Sequence, residues 1–173
     1  MDIFKIAEEG RVISDEEIAK LLERALADWE SRRGVVRNAL VIPPDFTRFH
    51  SNAGFITQVF YRLLTAKGAD VDILPALGTH VPVSETQWKT MFGDIPYEKM
   101  IVHNWRTDVV RLGEVPAAEV ERISGGLWKD PVSVEVKTTP VPTASALCWD
   151  ATNCSHAYHR ASRGRAASAA DCW

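Results

Sequence analysis

Between Ser14 and Trp105 the spacing of apolar residues switches repeatedly between a helical period and short continuous runs, and this alternation restricts the fold more than any other property of the chain. Ser14 followed by Glu17 forms a capping-box signature, after which Ile18, Leu21, Leu22, Ala25, Leu26 and Trp29 recur at helical spacing until Gly34. Asn38 to Ile42 is short and apolar enough for a strand, stopped by Pro43 and Pro44, which have no amide hydrogen to give a ladder. A loop must follow. Ile56, Val59, Phe60, Leu63 and Leu64 then mark a second helix, with Gly68 placed to close its last turn, and Val71 to Leu77 reads as the next strand. Ser84 with Gln87 offers a second capping box for a short helix faced by Trp88, Met91 and Phe92 and ended by Gly93; Met100 to Trp105 reads as a third strand.

Strands separated by helices require crossover connections, so the expected class is α/β: a mostly parallel sheet with helices on its faces, in a Rossmann-like layered architecture. Beyond Asp108 the pattern changes to short extended segments, Val109 to Leu112 and Val132 to Val136, separated by Gly- and Pro-containing turns; an excursion or strand pair at the sheet edge is expected near 109–136. From 138 onward Lys and Glu are absent and no hydrophobic period survives. The chain therefore divides into an α/β domain over 1–137 and an irregular tail over 138–173, either a frameshifted segment, as its resemblance to a GC-rich gene read out of frame suggests, or a natural flexible one.

Bulk properties narrow the function classes. A net charge of -3 and a pI near 6.0 give no positive field to concentrate polyanions, so nucleic acid is not an expected partner. No apolar run approaches the roughly 20 residues that span a bilayer, and the start MDIFKIAEEGRVI has no signal-peptide pattern, so no membrane association and a cytoplasmic location are expected. Cys148, Cys154 and Cys172 are odd in number and lack the paired short spacing of a zinc site; with His156 and His159 loosely spaced beside them, no metal site is expected.

Two polar clusters lie where ligands bind in open parallel sheets, outside the carboxyl ends of strands. The first, Asp45-Phe-Thr47-Arg48 continuing to His50, follows the first strand. Arg48 can grip a carboxylate or phosphate through parallel hydrogen bonds, Asp45 can accept from hydroxyls, and Thr47 can donate to an anion. Alternatively, Asp45 and Arg48 pair with each other and simply cap the loop. The second cluster, Gly78-Thr79-His80, ends the second strand; its glycine permits close approach to a ligand, and its imidazole can exchange a proton near neutral pH or serve a structural role. His103, at the end of the third strand, is read as structural, and Trp88 and Trp105 as core or crevice wall. Ser124-Gly125-Gly126 matches no phosphate-loop pattern and reads as a turn.

Taken in order, Pro-Pro-Asp45-Phe-Thr-Arg48, Leu77-Gly-Thr-His80 and Val102-His-Asn-Trp-Arg106 resemble the nickel-pincer-nucleotide-dependent lactate racemase (2-hydroxyacid racemase) family, over about residues 10 to 136. The resemblance implies two α/β domains around a nickel-pincer nucleotide that accepts a hydride from the substrate carbon and returns it to either face. It further implies that Asp45 and Thr47 contact the cofactor or the site around it, that Arg48 holds the substrate carboxylate, and that His80 is one of two acid/base histidines.

Departures from the family pattern matter equally. The second acid/base histidine, a Ser-Gly-Gly-x-Lys turn whose lysine bonds to the cofactor, a nickel-ligating histidine and the second domain are not recognisable. Ser124-Gly-Gly with Lys129 has its lysine displaced and takes no role. The chain is therefore expected to be the amino-terminal part of an enzyme acting on a small 2-hydroxyacid, inactive alone, with no cofactor stably bound and a C-terminal domain as its missing partner. The alternative is a non-catalytic nucleotide- or carboxylate-binding α/β module at the Asp45–His50 loop.

Overall fold

The computed structural model of the protein describes residues 9–137 and 145–148. Helix α1 (Asp15–Arg33) starts where expected, with the Ser14 hydroxyl accepting from the Glu17 amide. The Glu17 carboxylate completes no capping box, because it pairs with Arg11 at 2.5 Å. The chain then enters β1 (Asn38–Ile42), a 3-10 helix (Phe46–Ser51), α2 (Ala53–Ala66), β2 (Asp70–Ile73) and α3 (Glu85–Phe92). At α3 the capping box is complete, Ser84 and Gln87 each bonding the other's backbone amide. Gly68 closes α2 with φ 80, and the Ala69 amide returns to the Leu64 carbonyl at 3.1 Å.

β1 is the centre of a three-stranded parallel sheet in the order β2-β1-β5, where β5 is Ser145–Cys148. Four residues of the stretch expected to be irregular thus form a strand; the remainder of 138–173 lies outside the described residues. β1 is buried on both faces, as its unbroken apolar run requires. Ala39 and Val41 enter the main core with Val71, Ile73, Leu26, Phe60, Leu64, Trp88 and Phe92. Leu40 and Ile42 point the other way, onto Leu74, Ala76 and Ile101. Among the described residues the packed helices α1, α2 and α3 accordingly share one face of the sheet, where helices on both were expected.

One further expectation changes. Met100 to Trp105 is not a strand: it makes a single parallel bridge, Ile73 with Met100, and the Ile101 amide donates to the Ile73 carbonyl at 2.7 Å. The next donor along that edge of β2 would be Pro75, which has no N–H, so the ladder stops. The strand pair expected near 109–136 is present: β3 (Val109–Val115) and β4 (Val132–Lys137) form an antiparallel ribbon of their own, with a register shift between Arg111 and Gly113. Between them lies α4 (Ala117–Ile123), which has no buried residue and hence no amphipathic signature to read in advance. The Ser124–Gly126 segment is a turn as expected, with φ of 64 and 85 at its two glycines. No helix among the described residues is long and apolar enough to cross a membrane.

Candidate functional site

The site is built by the carboxyl-terminal extensions of β1 and β2. Past the last regular pair the two strands remain in parallel contact: the Leu74 amide donates to the Val41 carbonyl and the Ala76 amide to the Pro43 carbonyl, each at 2.8 Å, and Pro44 bridges Ala76. Pro43, with no amide hydrogen, takes part in this contact by accepting alone. Asp45 therefore leaves β1 beside the turn that leaves β2. That turn is closed by the His80 amide on the Leu77 carbonyl at 2.9 Å, with Gly78 at φ 57, a value glycine adopts without steric cost.

Asp45 joins the two loops. Its carboxylate is buried, with side-chain exposure of 7%, and one oxygen, Oδ2, lies 2.6 Å from Nδ1 of His80, whose own side chain is 54% exposed. The other oxygen, Oδ1, accepts from the Thr47 hydroxyl at 2.5 Å and the Thr47 amide at 3.2 Å, so Asp45 also caps the 3-10 helix. A buried carboxylate needs such partners, and both of its oxygens are supplied. Because Asp45 faces His80, it does not pair with Arg48; the loop-capping ion pair weighed from the sequence is not formed. Arg48 is exposed, its Nη1 donates to the Thr47 hydroxyl at 3.4 Å, and among the described residues it has no carboxylate partner.

All four residues singled out in the sequence thus form one chain of contacts, Arg48 to Thr47 to Asp45 to His80. His103 lies outside that chain, buried past the Met100 bridge. Trp88 is core, its Nε1 donating to the Ile95 carbonyl at 2.6 Å, whereas Trp105 is exposed with the Arg106 guanidinium 4.0 Å from its ring centre. Sequence reasoning missed the Asp45–His80 contact, which joins residues 35 positions apart. Its only sequence signal is that each follows a strand by a few residues and the strands are neighbours.

Chemically, a carboxylate on Nδ1 fixes an imidazole in the Nδ1–H tautomer and leaves Nε2 as the proton acceptor, the logic by which aspartate orients histidine in hydrolase triads. The half-exposed His80 presents such a nitrogen, and Arg48, linked to Asp45 through the Thr47 hydroxyl, carries a guanidinium able to receive an anion. Among the described residues no group of three or more His, Cys, Asp or Glu is placed to hold a metal ion, and Lys129 lies 3.5 Å from Glu121 in the turn region after α4.

Residues 3–123 match the family model of the lactate racemase N-terminal domain. No curated protein sequence matches the chain. Among solved structures, a Thermotoga maritima protein determined by a structural genomics consortium is similar at a TM-score of 0.58 and 22% identity, covering 72% of this chain and 30% of that one. The lactate racemase apoprotein from Thermoanaerobacterium thermosaccharolyticum is similar at a TM-score of 0.50 and 23% identity, covering 79% of this chain and 31% of that one. At such identities the likeness is one of fold, and the chain spans about three-tenths of the length of either structure.

Proposed function

The chain belongs to the lactate racemase N-terminal domain family, and from that membership we propose that it is the amino-terminal part of an enzyme that racemises or epimerises a small 2-hydroxyacid. The observation that carries the reading is the Asp45 carboxylate, which brings the Asp-x-Thr-Arg and Gly-Thr-His loops to one place and turns His80 toward solvent. In this proposal Arg48 receives the substrate carboxylate through two N–H groups, and His80 Nε2 takes the substrate hydroxyl proton as the carbon-bound hydrogen leaves, returning it when hydrogen comes back. Asp45 and Thr47 belong to the wall on which cofactor and substrate meet.

A nickel-pincer nucleotide, when bound, supplies the acceptor for the hydride. The described residues fit the substrate-holding and proton-handling side of such a site, since Arg48 has an open guanidinium and His80 an open nitrogen. They do not fit the nickel, having no suitable donor cluster, so no step is derived through the metal. In this proposal, the remaining ligands and the second acid/base group come from sequence corresponding to the other seven-tenths of the solved relatives, in a sheet continued with Rossmann-like layering. This chain alone would give no turnover.

The test is stereochemical. Residues 9–137, joined to the corresponding remainder of the T. thermosaccharolyticum lactate racemase and supplied with nickel-pincer nucleotide, should interconvert the enantiomers of at least one small 2-hydroxyacid and lose this on His80→Ala. A correctly folded fusion that exchanges none of a chiral panel would overturn the proposal. Retained binding through Arg48, indifferent to His80, would instead favour a carboxylate-binding module without catalysis.

A further inference from the structure

The Asp45 carboxylate is held at both oxygens. Oδ2 faces the imidazole at 2.6 Å, while Oδ1 is held by the Thr47 amide at 3.2 Å and, more closely, by the Thr47 hydroxyl at 2.5 Å. A carboxylate held at one oxygen pivots about its Cβ–Cγ bond, a broad torsion; one held at both is locked in plane. The threonine hydroxyl has a single proton. With that proton on Asp45, the lone pairs of Oγ1 are left for Arg48, whose Nη1 lies 3.4 Å away, the loose link of the chain.

We infer that Thr47 is a positioning residue: its hydroxyl locks the Asp45 carboxylate, so that the His80 proton stays on Nδ1 and Nε2 is left as the acceptor, and ties this arrangement to the Arg48 guanidinium. The inference rests on the reading of His80 as an acid/base group and Arg48 as the carboxylate anchor. It changes what Thr47 and Asp45 do in that site. Asp45 is 5% exposed with both carboxylate oxygens committed within the protein, so it acts through His80. Thr47, giving its proton inward, acts through Asp45. The same hydroxyl held outward would instead have been a ligand donor.

Imidazole nitrogen resonances of the full chain report the tautomer directly. With the His80 imidazole neutral, wild type should show one tautomer, protonated at Nδ1. Thr47→Val places a methyl group where the hydroxyl stood, so water cannot replace it, and the single-tautomer pattern should be lost to a mixture including the Nε2–H form. Thr47→Ser should restore it. A Thr47→Val protein that keeps the wild-type His80 tautomer overturns the inference. So does wild-type His80 in the Nε2–H form, which decides the matter even where the valine variant does not fold. The two readings fail separately: a fusion without racemisation but with a Thr47-dependent tautomer removes the catalytic reading alone. Racemisation with an unchanged tautomer in Thr47→Val removes Thr47 alone.

Discussion

Asp45 is the residue on which the account turns, because one buried carboxylate serves a local cap and a long-range contact together. Asp45→Ala removes the acceptor for the Thr47 hydroxyl and amide and for the His80 ring, and should cost about 1–3 kcal/mol, the range for deleting a buried hydrogen-bonding partner. Urea unfolding reads the loss as a lower midpoint at unchanged slope. That Asp45, Thr47, Arg48 and His80 lie in loops following strands was legible from the sequence. Their connectivity was not. From sequence Asp45 had a cation three residues away and looked able to pair with it; the parallel register carried through Pro44 and Ala76 turned it toward His80 instead. Local spacing cannot express a preference decided by two separate strands.

At the scale of elements, the helices with a clear apolar face and a cap were readable to within a residue or so, α3 being the clearest because Ser84, Gln87 and Gly93 mark both its ends. Elements whose limits depend on what a neighbour can donate were not. Met100 to Trp105 has a strand's composition, but Pro75 opposite offers no N–H; α4 has a helix's backbone with no buried side chain to betray it. Close approach of α2 to α3 was equally hidden. A Cβ at Gly54 would lie 2.2 Å from the Met91 carbonyl oxygen, and backbone cannot yield as a flexible side chain can. Gly54→Ala should therefore destabilise the protein by about 1–3 kcal/mol, as overpacking does, with the shift visible in thermal or urea denaturation.

Electrostatics tie the elements together as well. The hydrogen bond from Lys67, at the end of α2, holds the Glu30 carboxyl of α1 below its ordinary value, and that from Lys99 does the same for Asp70 at the start of β2. A carboxyl whose folded-state pKa is depressed gives stability present above its unfolded value and lost as pH falls through the folded one. Stability should thus fall as pH drops below the ordinary carboxylate range near 4, and Glu30→Gln with Asp70→Asn should flatten that acid limb in melting temperatures taken across pH.

For the molecule as a whole, the parallel α/β core places β1 centrally, with β2 on one side and β5 on the other, so the loop after β1 opens where the strand order changes direction. Open parallel sheets bind ligands at such a point. The sequence revealed the class of this architecture through its alternating periods and the family through its two loops. It concealed the placing of α1, α2 and α3 on one face, because periodicity identifies a buried side but not which layer covers it. The most direct test of the central claim, that the two loops form one anion-receiving, proton-handling site, is titration of the chain with D- and L-lactate while following the His80 imidazole resonances. The account predicts a saturable shift at weak affinity, on the order of millimolar for an exposed guanidinium–carboxylate contact, that disappears in Arg48→Ala with the fold intact. A His80 signal indifferent to either enantiomer, or a shift that survives loss of Arg48, would contradict it.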